Sequence, residues 1–178
     1  VYSVGTQVPQ YFQSMGTAFT GVLMPGIVKM VESGVDSKTL TDEMIRIGRI
    51  ILIVLGLIWG GFLACGQQFI TLWAGADNSN AYFVAVILMT AYMFILTESI
   101  GTQILWAMNQ HKEQAILKGI IVLLNILLTV VLIKWQPLIG ATIGTFISLV
   151  LGDVVVMNVI FKKKLKMNLG YYYKGLTK

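Results

Sequence analysis

The chain has 178 residues, 56% of them hydrophobic and 12% charged, with a formal net charge of +5. A soluble domain carries about 25% charged residues, and a chain this apolar has too little polar surface to face water on every side, so the composition places it in the membrane class. The positive charge does not point to nucleic acid, because no aromatic-basic recognition module accompanies it.

The hydropathy pattern predicts an all-α, polytopic membrane bundle of five spanning helices, over residues 8–30, 47–67, 81–109, 115–134 and 138–161, in a single domain. The first is unusually polar and its surroundings, residues 1–28, carry no charge. Ser14, Ala18, Gly21 and Pro25 recur at helical spacing on one face, which suits a packed protein interior or a cavity wall better than lipid. Gln10, Gln13, Ser14 and Thr17 are therefore candidates for lining a cavity. Pro9 and Pro25 mark expected kinks or ends. In the polar segment that follows, Asp36 or Ser37 caps a short helix leading into Arg46 and Arg49. From Ile50 to Gly66 the chain is apolar and uncharged and holds Gly56 and Gly60 at GxxxG spacing; Trp73, beyond it, is placed as an interfacial anchor.

The third span is interrupted chemically by Thr97, Glu98, Ser99 and Gly101. After a connector containing His111, the fourth span encloses Asn125. Its uncharged core is short, so Lys118 and Lys134 are expected to snorkel to opposite surfaces. A turn through Trp135 and Pro137 opens the fifth span, which stops at Lys162, Lys163 and Lys164. That helix is about 36 Å long, enough to cross a hydrocarbon core of about 30 Å with some tilt. Gly140, Gly144, Ser148 and Gly152 recur every fourth residue along it, a row that lets another helix approach closely. Both termini begin and stop abruptly, with no initiator Met or signal peptide, which suggests a piece of a longer protein.

With five spans, the connectors 29–49, 110–118 and 162–178 share one side and 68–80 and 134–137 the other. Of thirteen Lys and Arg residues only Lys134 falls on the second side. Positive-inside reasoning puts the crowded side, and the C-terminus, in the cytoplasm and the N-terminus outside. The lysine run after the fifth span is then a stop signal touching anionic membrane lipid.

Glu98 and Asp153 are the two acids at membrane depth, and an ionisable group there is a functional candidate as a coupling-ion or pathway residue. A carboxyl group out of water favours its protonated form and releases the proton when water enters; the alternative is a hydrogen-bonded acid that holds helices together. Asn125, Gln103 and Asn158 suit interhelical hydrogen bonding, with Asn125 also a cavity candidate. Trp59 and Trp106 suit packing or the interface. Cys65 is the single cysteine and His111 the single histidine, so no internal disulfide and no Cys/His zinc site can form. No nucleophile-base pair, metal cluster or phosphate loop is present, and neither an enzyme nor a cofactor is expected.

Four motifs in this order carry a family resemblance: VYSVGTQVPQ running through to VLMPGIVKM; FITLWAGADNSNAYFVAVILM; ILWAMNQHKEQAI followed by the helix with Asn125; and IGATIGTFIS leading to basic residues. The chain resembles the C-terminal half of bacterial polysaccharide-export flippases, the O-antigen and capsule repeat-unit translocases of the multidrug/oligosaccharidyl-lipid/polysaccharide exporter superfamily. The resemblance implies two pseudo-symmetric bundles, of which this would be part of one, alternating between inward- and outward-open states. It implies an undecaprenyl-pyrophosphate-linked oligosaccharide as substrate, moved across the bacterial cytoplasmic membrane in polysaccharide biosynthesis. It further implies a proton or sodium ion as coupling ion, and a polysaccharide polymerase and glycosyltransferases as partners. Lys29, Arg46 and Arg49 would then meet the anionic head group at the cytoplasmic mouth. A cation-coupled multidrug exporter of related architecture, and a non-transporting membrane scaffold with structural acids, remain open beside it.

Overall fold

The structure, a computed structural model, describes residues 1–109, 112–134, 136–165 and 167–176. His111 of the connector, Trp135 of the turn, and Lys166 and Lys178 of the basic tail lie outside the described residues. The described residues form an all-α bundle: α1 (Tyr2–Glu32), α2 (Ser37–Ala74), α3 (Ala81–Thr97), α4 (Ser99–Ala107), α5 (Lys112–Ile133), α6 (Pro137–Leu149), a π-helical stretch (Val150–Val156), α7 (Met157–Lys164) and α8 (Leu169–Leu176). Among the described residues four helices are long and apolar enough to cross a membrane, and the count is five when α3 and α4, bent by 43° at their junction, form one span. Large apolar side chains cover much of the outer surface, among them Val22, Leu57, Ile116, Leu123 and Val131, which suits contact with lipid.

Helices stand at each of the five expected places, with different limits. α1 starts six residues before residue 8, and both Pro9 and Pro25 lie inside it rather than at an end. The expected short helix after Asp36 is fused to the second span. One helix of 38 residues runs from Ser37 to Ala74, about 57 Å of length, so its first turns stand outside a bilayer. It starts where Asp36 adopts an extended conformation, and it stops at Gly75 with φ 89°, a left-handed setting that favours glycine. Gly34, with φ 70°, makes the corresponding turn after α1. α8 was not expected at all.

α3 is the centre of the bundle, burying Ala81, Val84, Ala85, Leu88, Met89, Ala91 and Leu96. α1 lies parallel to it, with Gly5 against Val84 and Gly16 against Leu96. The small side chains on that stripe let the two backbones come close, which is how helices associate in lipid. The face of α1 that carries Ser14, Ala18, Gly21 and Pro25 is exposed, and among the described residues no element covers it. Its hydroxyls turn inward instead, Ser14 donating to the Gln10 carbonyl and Thr17 to the Ser14 carbonyl, each at 2.9 Å.

α6 packs on α3, and α5 lies outside α6. Gly140, Gly144, Ser148 and Gly152 are all buried. A side chain added to Gly140 would strike the Leu132 backbone, to Gly144 Thr129, and to Gly152 Ile121. The small-residue row is therefore the α5 seam. Gly56 and Gly60 meet nothing, so their spacing makes no packed contact in this chain. Ser37 donates to the Leu165 carbonyl, bringing the start of α2 and the end of α7 to one end of the bundle. Asn80 and Gln136 share a pocket at the other.

Candidate functional site

The break between α3 and α4 falls at Glu98, with φ −92° and ψ 0°. There the Gly101 N–H bonds to the Glu98 carbonyl at 3.0 Å, so the preceding Thr97 carbonyl is left without a helical partner. α8 supplies one: the Tyr172 hydroxyl donates to it at 3.1 Å. A buried carbonyl left unpaired costs about 1–3 kcal/mol, so this bond explains why a buried tyrosine docks at the bend.

Glu98 is buried, with 4% exposure. The Asn158 side-chain amide on α7 lies 2.8 and 2.9 Å from its two carboxylate oxygens, and the Tyr173 hydroxyl donates to Oε1. The same amide nitrogen lies 2.9 Å from the Val154 carbonyl and 2.7 Å from the Tyr173 oxygen. Two N–H groups thus serve four acceptors. The Asn158 carbonyl oxygen is buried and has no partner among the described residues. An acid predicted from sequence is therefore held by Asn158, which the sequence suited to interhelical hydrogen bonding, and by Tyr173, which gave no such sign.

Three consecutive tyrosines of α8 reach three places. Tyr171 donates to Asp42 on α2 at 2.8 Å, Tyr172 to Thr97, and Tyr173 to Glu98. Asn168 caps the helix, its side-chain oxygen accepting from the Tyr171 N–H at 3.2 Å. The bond to Asp42 and the charge of that carboxylate push the Tyr171 hydroxyl above its ordinary value of 10.0. Burial pushes the Tyr172 and Tyr173 hydroxyls up further.

Between α2 and α8 lies an open cleft of about 610 Å³, lined by Asp42, Ile45, Arg46, Arg49, Ile50, Tyr171, Lys174 and Gly175. Arg49 Nε donates to the Gly175 carbonyl at 2.6 Å. Arg46 stands 3.6 Å from Glu43 with a largely exposed side chain. The structure thus brings Arg46 and Arg49 together and adds Lys174. Lys29 is exposed on α1 and does not line the cleft. A second, apolar groove of about 410 Å³ runs between α1 and α2, lined by Tyr11, Phe12, Met15, Phe62, Cys65 and Phe69 among others.

Asp153 sits elsewhere. Its carboxylate is 3.1 Å from the Lys118 amine of α5, and both side chains are partly exposed. Lys118, expected to snorkel to a surface, meets an acid of the neighbouring span with its amine. Asn125 is half-buried and accepts from Thr129 at 3.3 Å. The register that sets Gly144 on Thr129 and Gly152 on Ile121 brings Asn125 opposite Ser148, within the α5–α6 seam. Gln10, Ser14 and Thr17 are exposed and Gln13 half-buried, on the uncovered side of α1. Trp59 donates to Thr90 at 3.1 Å and Trp106 to Gln114 at 2.8 Å. Among the described residues no group of His, Cys, Asp and Glu could hold a metal ion.

Comparison with protein-family models, with curated proteins and with solved structures returns no match.

Proposed function

We propose that the chain is part of a transporter that flips lipid-linked oligosaccharides across the bacterial cytoplasmic membrane by alternating access, with Glu98 as the coupling residue. The observation that carries this reading is the buried Glu98 at a helix break, tied to α7 and α8 by Asn158 and Tyr173. A bend closed by one titratable group is a two-state element that a proton or sodium ion can bias. The orphaned Asn158 oxygen supports it: turned over, that amide accepts from a protonated Glu98, or joins its carboxylate around a cation. Arg46 and Arg49, at the end that the basic residues assign to the cytoplasm, suit a first encounter with a pyrophosphate. The uncovered hydroxyl and amide face of α1 suits a glycan.

The test is surface-polysaccharide export in cells carrying Glu98→Gln, with membrane abundance of the protein measured alongside. Export is expected to fall at least tenfold at unchanged abundance. Undiminished export would overturn the coupling role, and undiminished export when the whole chain is deleted would overturn the flippase reading. The apolar groove between α1 and α2 favours one second reading, a cation-coupled exporter of apolar drugs. Drug sensitivity without an export defect in the deletion would select it. Neither phenotype would leave a membrane scaffold.

A further inference from the structure

The basic cleft does not stand alone on α2. Arg46, Ile50, Ile53 and Leu57 follow one another at helical spacing, and the three apolar residues are 52%, 70% and 79% exposed. One face of α2 therefore runs from a cationic cleft into bare hydrocarbon-facing side chains. The cleft wall carries Arg46, Arg49 and Lys174 beside Asp42, with Glu43 next to Arg46, and the Tyr171 bond occupies one oxygen of Asp42. Arg49 is fixed by its bond to Gly175, so its remaining guanidinium N–H groups are pre-oriented, and such a group matches phosphate oxygens in pairs. The contact of Arg46 with Glu43, at 3.6 Å, is too long for a hydrogen bond.

We propose that this α2–α8 cleft holds the phosphodiester head group of an anionic phospholipid from the surrounding leaflet, its acyl chains lying along Ile50, Ile53 and Leu57. The ligand has two parts because the surface has two parts: a phosphate anion for the cations and hydrocarbon for the stripe above them. A free phosphate satisfies only the first, and a zwitterionic lipid brings its own cation. The proposal concerns a resident lipid, on the same Arg46 and Arg49 to which the transport reading gives a passing encounter with the cargo's pyrophosphate.

The test is native mass spectrometry of the full chain in detergent, titrated separately with phosphatidylglycerol, phosphatidylcholine and inorganic pyrophosphate. One phosphatidylglycerol is expected to bind roughly tenfold more tightly than phosphatidylcholine, since each basic side chain at a membrane surface contributes appreciably to anionic-lipid attraction. The Arg46→Gln/Lys174→Gln double variant is expected to bring the two lipids to parity. Both side chains are exposed, and an unchanged circular dichroism melting curve would show that the variant is folded. Should it unfold, Ile53→Asp, on the exposed stripe, is expected to weaken phosphatidylglycerol binding by itself. Equal binding of the two lipids in the unaltered chain, a preference that survives the double variant, or displacement of phosphatidylglycerol by pyrophosphate would each overturn the proposal. Loss of polysaccharide export with the lipid preference intact, or the reverse, keeps this result distinct from that of the transport reading.

Discussion

The Asn158 amide faces four acceptors among the described residues, and its removal is the sharpest residue-scale test. Asn158→Ala takes donors from a buried carboxylate, and hydrogen bonds to charged groups are worth about 1.5–3 kcal/mol each. The variant is expected to lose about 2 kcal/mol of stability in reversible denaturant unfolding in micelles. Tyr173→Phe removes the other donor to Glu98. Because the two share one acceptor, the double variant is expected to depart from additivity by more than about 0.5 kcal/mol; strict additivity would show that the two donors do not share Glu98. Glu98 itself was legible in the sequence, since an acid amid apolar residues is conspicuous. Its partners were not: Asn158 is 60 residues away, and a lone amide in a span carries no sign of which helix it will meet. Asp153 was conspicuous for the same reason, while its pairing with Lys118 depended on the packing of two helices.

At the scale of elements, the α5–α6 seam and α8 behave differently. The seam was readable, because a small residue every fourth position has a geometric meaning that survives without coordinates. Gly140→Leu drives a side chain into the Leu132 backbone, and overpacking of this kind costs about 1–3 kcal/mol. Since α5 touches the bundle mainly through α6 and the π-helical stretch, the variant is expected to detach α5, read, with Cys65 replaced by Ala, as lost cross-linking by a short bis-maleimide between cysteines placed at Lys118 and Asp153, whose side chains meet at 3.1 Å. α8 was hidden because eight residues give too short a pattern to announce a helix; the Asn168 cap ahead of three tyrosines was the available signal. All three hydroxyls have their ionisation raised above the ordinary tyrosine value of 10.0. The docked state therefore favours the protonated form, and that stabilisation is complete below about pH 10 and is lost as pH rises through the folded values. Alkaline titration followed by tyrosinate absorbance is expected to show late, cooperative ionisation that coincides with protease cleavage in residues 165–170. Three independent, ordinary titrations would contradict the docking.

For the whole molecule, the all-α class and the places of the long apolar helices were legible from hydropathy, although α2 begins at Ser37 rather than at residue 47, and the basic residues supply the expected orientation. The 43° bend was legible only as a cluster of polar residues, since periodicity says nothing of the angle at a break. With Cys65 replaced by Ala, cysteines at Lys163 and Asp77 are expected to react with a membrane-impermeant thiol reagent from opposite faces, Asp77 from outside and Lys163 only after permeabilisation. Labelling of both in intact cells would undo the orientation. The π-helical stretch at Val150–Val156 has a further consequence for the last span. Its wider winding sets the helix on either side of it at two rotational phases, one serving the glycine row and α5, the other aiming Asn158 at Glu98. Deleting one residue there would turn everything downstream by about 100°. The chain would then keep its hold on α5 or its grip on the acid, and no substitution of similar size would force that choice.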